Sequence, residues 1–106
     1  MAQTGQPYSS GRWLVKEGSE DEFVTRWTSF IDWTLENADG SESFQLIQNM
    51  EEPRRFLSFG SWRDPDAARA WQALPDFAEQ LGKCRELCDE FESHGYVLRS
   101  APSRSG

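Results

Sequence analysis

The sequence contains very little histidine and cysteine. It has one histidine, His94, and two cysteines, Cys84 and Cys88, which cannot supply the full tetrahedral set of thiol and imidazole ligands that usually holds structural zinc. It also contains no Gly-rich phosphate loop and no Ser-His-Asp arrangement. Hydrolase, kinase and metalloenzyme activities therefore have no support in the sequence, and we expect no metal site.

Positive charge and long apolar runs are also scarce. The chain has 11 basic against 18 acidic residues, a net charge of -7, and a field of that sign repels nucleic acids and anionic membrane surfaces. We therefore expect neither as a partner. No stretch approaches the roughly 20 apolar residues that cross a bilayer, and the first residues lack the basic start and the apolar segment of a signal peptide. These features predict a cytoplasmic protein.

Aromatic residues, by contrast, are abundant. Five tryptophans and seven phenylalanines among 106 residues give a small core an unusually large share of flat rings. A chain of this length forms one domain, which we expect to span residues 11–100. Residues 1–10 and 101–106 are rich in Ser, Gly, Pro and Gln, and they predict flexible tails.

Local patterns predict four strands and three helices. A capping box at residues 19–22 and an apolar stripe at residues 23–34 predict the first helix. An Asp-Pro pair at residues 64–65 predicts the start of the second. A further apolar stripe at residues 77–91 predicts a third helix, which Gly95 ends. The predicted strands are residues 12–16, 43–49, 55–62 and 96–99, and the predicted helices are residues 20–36, 65–74 and 77–94.

The order of these elements, β-α-β-β-α-α-β, is typical of the α+β ferredoxin-like split βαβ fold, a four-stranded antiparallel sheet with its helices on one face. Both faces of the predicted sheet carry apolar residues. Trp13 and Leu14 alternate on the first strand, and Phe56 and Leu57 alternate on the third. Because the helices can cover only one face, the other predicts a homodimer in which two sheets pack face to face.

The segment from Trp62 to Trp71, followed by Leu74 to Phe77, resembles the signature of the antibiotic biosynthesis monooxygenase family: a strand that ends in Trp, a short acidic turn, and a helix with a second Trp. The resemblance extends over residues 11–100. It implies a dimeric α/β barrel with a cavity between sheet and helices for a flat aromatic molecule or haem. Some members oxidise phenols with molecular oxygen and use neither metal nor flavin, so the resemblance implies no cofactor.

The quinone-forming pattern of the family agrees with this sequence only at Trp62. Where that pattern has an Asn, this chain has Ser58. Where it has a Tyr and an Arg, this chain has Ala68 and Gly82. The polar groups that act on the substrate in those relatives are therefore replaced here.

The haem-degrading pattern agrees at Trp71, but its iron-ligating His is replaced by Leu81, and the first strand lacks its Asn. A hydrocarbon side chain at that position cannot ligate iron. We interpret the chain as a cofactor-independent monooxygenase of aromatic, polyketide-like molecules. The alternatives are a non-catalytic dimeric module that binds a hydrophobic small molecule and, disfavoured by Leu81, a haem-binding or haem-degrading protein.

The candidate site residues divide by their expected role. The predicted catalytic residues are Trp62, Ser58 and Asn49, with Ser58 or Asn49 orienting a ring oxygen. The predicted substrate-binding residues are Trp71, Arg12, Phe77 and Trp27, among which the guanidinium is the group that could stabilise a phenolate. The tryptophans at positions 62 and 71 are also large enough to fill the centre of so small a domain, so core packing is the alternative explanation for both.

Other conspicuous residues have structural explanations. Cys84 and Cys88 lie on the apolar stripe of the third predicted helix and are expected to pack there as reduced thiols. His94 lies at the predicted end of that helix, where it would cap the last turn. Trp33 lies off the stripe of the first helix and is expected at a pocket edge, in a dimer contact or on the surface.

Overall fold

The structure is a computed structural model that describes residues 4–104. Within that range the chain forms four strands and three helices in the predicted order, so the α+β fold is confirmed. The strands are β1 (Pro7–Val15), β2 (Ser41–Gln48), β3 (Arg55–Trp62) and β4 (Cys88–Val97), and the helices are α1 (Glu20–Asn37), α2 (Pro65–Gln72) and α3 (Phe77–Arg85). In the part of the chain that the structure describes, no helix is both long and apolar enough to cross a membrane.

All four strands pair antiparallel in one sheet, in the spatial order β2-β3-β1-β4. The core lies between one face of this sheet and the helices. Trp13 of β1 packs against Phe23 of α1 and Phe91 of β4, with ring centroids 5.1 and 4.2 Å apart. Phe23 also contacts Phe56 of β3 at 5.0 Å. This aromatic cluster fills one end of the space between α1 and the sheet, because tilted ring pairs at such distances pack closely.

The first two helices begin and pack largely as predicted. The buried residues of α1 are Phe23, Trp27, Phe30, Ile31 and Thr34. The predicted capping box is wrong, because the side chain of Ser19 makes no capping hydrogen bond. Three acidic residues in the first turn stabilise the positive end of the helix instead. In α2 the Asp64 carboxylate accepts a hydrogen bond from the Ala67 amide at 2.8 Å, with Pro65 in the first turn.

β1 begins at Pro7, well before the strand predicted at residue 12. The assignment of residues 7–10 to a flexible tail is therefore wrong: Tyr8 pairs with Ser61 on one side and with Tyr96 on the other. A strand between two neighbours has its backbone groups satisfied from both sides, which offsets the weak β propensity of this Ser-rich segment. Residues 1–3 and 105–106 of the predicted tails lie outside the described residues, and residues 101–104 form no helix or strand.

The end of the chain differs most from the prediction, because α3 is shorter and β4 longer than expected. Cys88 and Phe91, predicted to continue the helical stripe, lie in β4, where Phe91 pairs with Trp13. His94 does not cap a helix. It lies in the middle of β4 opposite Ser10. The hydrogen bonds that β4 makes along the whole of β1 outweigh the helical spacing of the apolar residues in this segment, since tertiary contacts routinely override local propensity.

The outer face of the sheet, turned away from the helices, is apolar in its centre and charged towards β4. Leu57 and Ile47 face each other on neighbouring strands, and they keep 39% and 50% of their surface exposed. Arg12 lies between Leu57 on one side and Glu92 on the other. The second apolar face that the sequence predicted is thus present over β2, β3 and part of β1, and the homodimer stays a prediction.

A candidate ligand cavity on the sheet

Small residues cover the middle of the sheet on its helix-facing side. Three strands carry the same Ser-x-Gly tripeptide: residues 9–11 in β1, residues 58–60 in β3 and residues 93–95 in β4. The register places Ser9 opposite Gly60 and Gly95, and Gly11 opposite Ser58 and Ser93. Since side chains this small cannot fill the space up to the helices, a cavity of about 810 Å³ remains above them. We call these six residues the serine-glycine floor.

Aromatic side chains form the walls of this cavity. The lining includes Trp27 and Phe30 of α1, Trp71 of α2 and Phe77 of α3. Trp71 and Phe77 meet edge to face with centroids 4.8 Å apart, and Phe30 lies 5.8 Å from Trp71. The exposed Val97 of the edge strand β4 is also part of the lining, so the cavity opens along that edge. An apolar space with such walls suits a flat hydrophobic molecule.

Two serines of the floor accept hydrogen bonds from tryptophans, of which Trp13 lines the cavity and Trp62 does not. Trp13 Nε1 donates a hydrogen bond to Ser58 Oγ at 3.0 Å, and Trp62 Nε1 donates to Ser9 Oγ at 3.0 Å. The first bond passes over Gly11, where a Cβ atom would lie 2.7 Å from the indole nitrogen and 2.8 Å from the hydroxyl oxygen. A larger residue there would have to displace one of the two partners, so the glycine is required for this bond.

The structure brings four of the predicted site residues together. Ser58, Trp27, Trp71 and Phe77 all line the cavity. Trp62, predicted as catalytic, does not line it. Its side chain is completely buried beneath the wall and packs against Trp71 with centroids 4.9 Å apart. The core-packing explanation therefore holds for Trp62. Trp71 also packs in the core, where its Nε1 donates a hydrogen bond to a buried threonine on α1, but one side of its ring lines the cavity.

Arg12 and Asn49, also predicted as site residues, do not line this cavity. Because side chains alternate along a strand, Arg12 points to the outer face, between neighbours that face the helices. Asn49 follows β2, and its Oδ1 accepts hydrogen bonds from the amides of Glu51 and Glu52 at 2.8 and 2.9 Å. An Asn that satisfies backbone amides in this way stabilises the turn between two strands, so its role here is structural.

Ser9 and Ser93 belong to the cavity but escaped the sequence analysis. Ser9 was assigned to a tail and Ser93 to a helix, whereas both lie on the serine-glycine floor. The signal that could have found them is the threefold occurrence of Ser-x-Gly, because alternating small residues on paired strands leave room above a sheet.

Few ionisable side chains lie at the cavity. The side chain of His94 lies on the outer face, where the hydrogen bond with His94 lowers the pKa of the Glu92 carboxyl. Arg69 lies at the rim, 70% exposed, and pairs with Asp66 of the same helix. Among the described residues no carboxylate lines the cavity, and no group of three or more possible metal ligands occurs there. Leu81 is part of the wall, as an apolar side chain and not as a ligand for haem iron.

The two thiols are packing groups, as predicted. Cys84 is fully buried, and burial raises the pKa of its thiol to about 12. Burial also raises the pKa of the half-buried Cys88 thiol to about 11. Neither residue lines the cavity, and a thiol that stays protonated at neutral pH is a poor nucleophile.

The fold and this cavity define an α+β protein of ferredoxin-like topology with an aromatic-walled cavity between its sheet and its helices. The family model for antibiotic biosynthesis monooxygenase matches residues 10–80, and the chain belongs to that family. The predicted family is thereby confirmed. No protein with a curated description matches the sequence.

Solved structures share the fold over nearly the whole chain. The cofactor-independent oxygenase SnoaB from Streptomyces nogalater gives a TM-score of 0.82 at 20% identity, with 92% of this chain and 96% of that chain covered. A proposed antibiotic biosynthesis monooxygenase from Bordetella bronchiseptica gives 0.76 at 21% identity, with 87% and 95% covered. Another from Deinococcus radiodurans gives 0.77 at 17% identity, with 94% and 99% covered. At these identities the similarity shows the fold alone.

Proposed function

We propose that the protein is a cofactor-independent monooxygenase that oxidises a flat phenolic molecule held in the cavity. The observation that carries the proposal is the cavity itself, whose volume of about 810 Å³ lies within the range of small-molecule sites. Its walls are rings and its floor offers hydroxyl groups. The proposal is supported by SnoaB, which shares the fold and is a cofactor-independent oxygenase.

The proposed oxidation needs few chemical groups from the protein. An electron-rich phenolate can itself react with molecular oxygen: one oxygen atom enters the ring as a carbonyl, and the other leaves as water with the two hydrogens that the ring carbon loses. The protein must hold the ring, stabilise negative charge on its oxygen and exclude water. Trp27 and Trp71 are placed for the first task, and the hydroxyl of Ser58 for the second.

Oxygen uptake with anthrone tests the proposal, measured against the rate of oxidation without protein. We expect one molecule of oxygen consumed for each anthraquinone formed. Trp71→Ala removes a wall of the cavity and should lower kcat/KM about tenfold, the effect of losing one aromatic contact. Trp33→Ala is the matched control, because Trp33 is half-buried on α1 and does not line the cavity. Uptake at the protein-free rate, or equal loss in the two variants, would refute the proposal.

A non-catalytic binding module is the second candidate, and one observation favours it. The positions that carry Asn, Tyr and Arg in the quinone-forming relatives are Ser58, Ala68 and Gly82, and none of these side chains can take a proton from a phenol. In that case anthrone should quench tryptophan fluorescence with a saturable dependence on concentration and without oxygen uptake above the protein-free rate.

We also propose that two copies of the chain pack through the outer face of the sheet. Leu57 and Ile47 form an exposed apolar centre there, and such a patch seldom stays uncovered on a monomer. Arg12 and Glu92, side by side on this face, supply charges of both signs, so the face can be complementary to itself in a twofold dimer.

A cytoplasmic location remains part of the proposal. The cysteines are both free, and a chain whose thiols stay unpaired suits a reducing compartment. Fractionation of the host cells tests this location, and recovery of the protein outside the cytoplasm would contradict it.

A further inference from the structure

The hydroxyl groups of Ser9 and Ser58 each have one hydrogen left to donate. A serine hydroxyl carries one hydrogen and two acceptor lone pairs, whereas an indole N–H only donates. Trp62 and Trp13 therefore occupy a lone pair on each oxygen and leave its hydrogen unused. In the part of the chain that the structure describes, neither serine donates from its side chain to a protein acceptor, and both line the cavity.

The two indole–serine bonds repeat one local pattern on neighbouring antiparallel strands. Ser58 faces Gly11, and its donor Trp13 lies two residues along the strand from that glycine. In the same way, Ser9 of β1 faces Gly60 of β3. The indole that donates to Ser9 belongs to Trp62, which lies two residues after Gly60 on β3. A local twofold axis between β1 and β3 relates the two indole–serine pairs, so the two hydroxyls are presented to the cavity in equivalent ways.

The spacing of the two serines on the sheet suits a ring with two oxygen atoms. Ser9 and Ser58 are diagonal neighbours on paired strands, which places their Cβ atoms about 7 Å apart. A hydrogen bond from each hydroxyl would reach oxygen atoms on opposite sides of a single six-membered ring lying over the two serines. Because the serine-glycine floor carries no bulky side chain, a flat ring system can lie along it with one oxygen towards each hydroxyl.

We propose that Ser9 and Ser58 form a pair of hydrogen-bond donors that selects flat molecules with two oxygen acceptors across one ring. Trp13 and Trp62 are positioning residues that keep both hydroxyl hydrogens available to the ligand. This inference rests on the proposed function only in requiring that the cavity binds a flat aromatic molecule. It goes beyond that function by assigning Ser9 to the site and by stating what the ligand must present.

Three ring systems of nearly equal shape test the donor pair: anthracene has no oxygen, anthrone has one carbonyl, and anthraquinone has two across its central ring. Their affinities are measured without oxygen by quenching of tryptophan fluorescence. We expect Ser9→Ala and Ser58→Ala each to weaken anthraquinone binding about fivefold, the effect of one hydrogen bond, and to leave anthracene binding unchanged. Ser43→Ala, on the outer face of β2, is the matched control and should change neither affinity.

Further variants separate the donor role from a general effect on folding. Ser58→Ala leaves a buried indole N–H without a partner, so the melting temperature is recorded for every variant. Trp13→Phe with Ser58→Ala removes both partners and should show the same loss for anthraquinone. Ser58→Thr keeps the hydroxyl and should restore the preference. Trp13→Phe alone should reduce the ratio of anthraquinone to anthracene affinity, a quantity that a purely structural role would not change.

The outcomes distinguish this inference from the proposed function. If the serine variants bind anthraquinone and anthracene in the same ratio as the unaltered protein, the donor pair is refuted and an aromatic-binding cavity remains. An equal loss for both ligands also refutes it, because the substitution has then reshaped the cavity. If none of the three compounds binds, both the inference and the proposed function are overturned.

Discussion

The indole ring of Trp62 packs against that of Trp71 at a centroid distance of 4.9 Å, and of the two only Trp71 lines the cavity. The strand-ending tryptophan of the family signature therefore supports the wall from behind. Its Nε1 also holds Ser9 on the floor. The buried side chain of Trp62 thus supports one wall residue and one floor residue of the cavity without lining the cavity itself.

Trp62→Phe should lower the free energy of unfolding by about 1–3 kcal/mol, because it leaves a gap at a fully buried position and removes the hydrogen bond to Ser9. Urea denaturation followed by circular dichroism measures this loss. Trp33→Phe, at a half-buried position on α1, should cost much less. Equal losses for the two substitutions would show that Trp62 is not the support inferred here.

Gly60→Ala should destabilise the protein by about 1–3 kcal/mol, the usual cost of overpacking a core. A Cβ atom at this position would lie 2.0 Å from the Phe44 ring, which closes the cavity over β3. Gly82→Ala is the matched control. Apart from its chain neighbours and the backbone of its own helix, no atom lies within 4 Å of its Cβ position in α3, so alanine should stabilise the helix by about 0.5–1 kcal/mol. Urea denaturation of both variants checks the opposite signs, and a neutral Gly60→Ala would contradict the close packing.

Stability should fall as the pH rises above about 9, the ordinary value for a thiol, because burial raises the pKa of Cys84 to about 12. Between those values the unfolded chain loses the thiol proton while the folded chain keeps it, so deprotonation favours unfolding. Below pH 9 the thiol is protonated in both states and has no such effect. Urea denaturation from pH 8 to 11 should show that the difference between the unaltered protein and Cys84→Ala shrinks with pH. A difference that is constant across this range would contradict the assignment.

Leu57→Glu should convert a dimer into a monomer, because it places a charge in the centre of the outer face. Sedimentation velocity at micromolar concentration measures the change. Val24→Glu is the control, since Val24 is similarly exposed at 41% but lies on α1, away from the outer face. If the unaltered protein already sediments as a single chain, the proposed dimer is wrong.

Local signals predicted some features well and others poorly, for reasons that particular residues show. The stripe of α1 and the Asp64 cap of α2 depend on neighbours within one turn, and both were predicted correctly. Phe91 repeats the spacing of a helix, yet its ring lies 4.2 Å from Trp13 in a strand. No local rule can foresee that contact, because the partner strand comes from the other end of the chain.

The candidate site shows the same division. Ser58 and Trp71 were found because the family signature marks their positions, whereas Arg12 and Asn49 were chosen for chemistry alone and point elsewhere. The face on which a strand residue lies is set by register, and a change of one residue would reverse it. Ser9 could be recognised as a residue of the cavity only once β1 was seen to extend to residue 7.

The sequence by itself determined the order of elements and the aromatic character of the core, because these follow from periodicity, capping residues and composition along a single chain. It also determined the family, through the resemblance of the segment from Trp62 to Phe77 to a known signature. Only the tertiary structure decided that the Ser-x-Gly tripeptides of three strands share one face and leave a cavity beneath the helices. The physical reason is that strand pairing joins segments far apart in sequence, so the space above a sheet depends on side chains that no local pattern brings together.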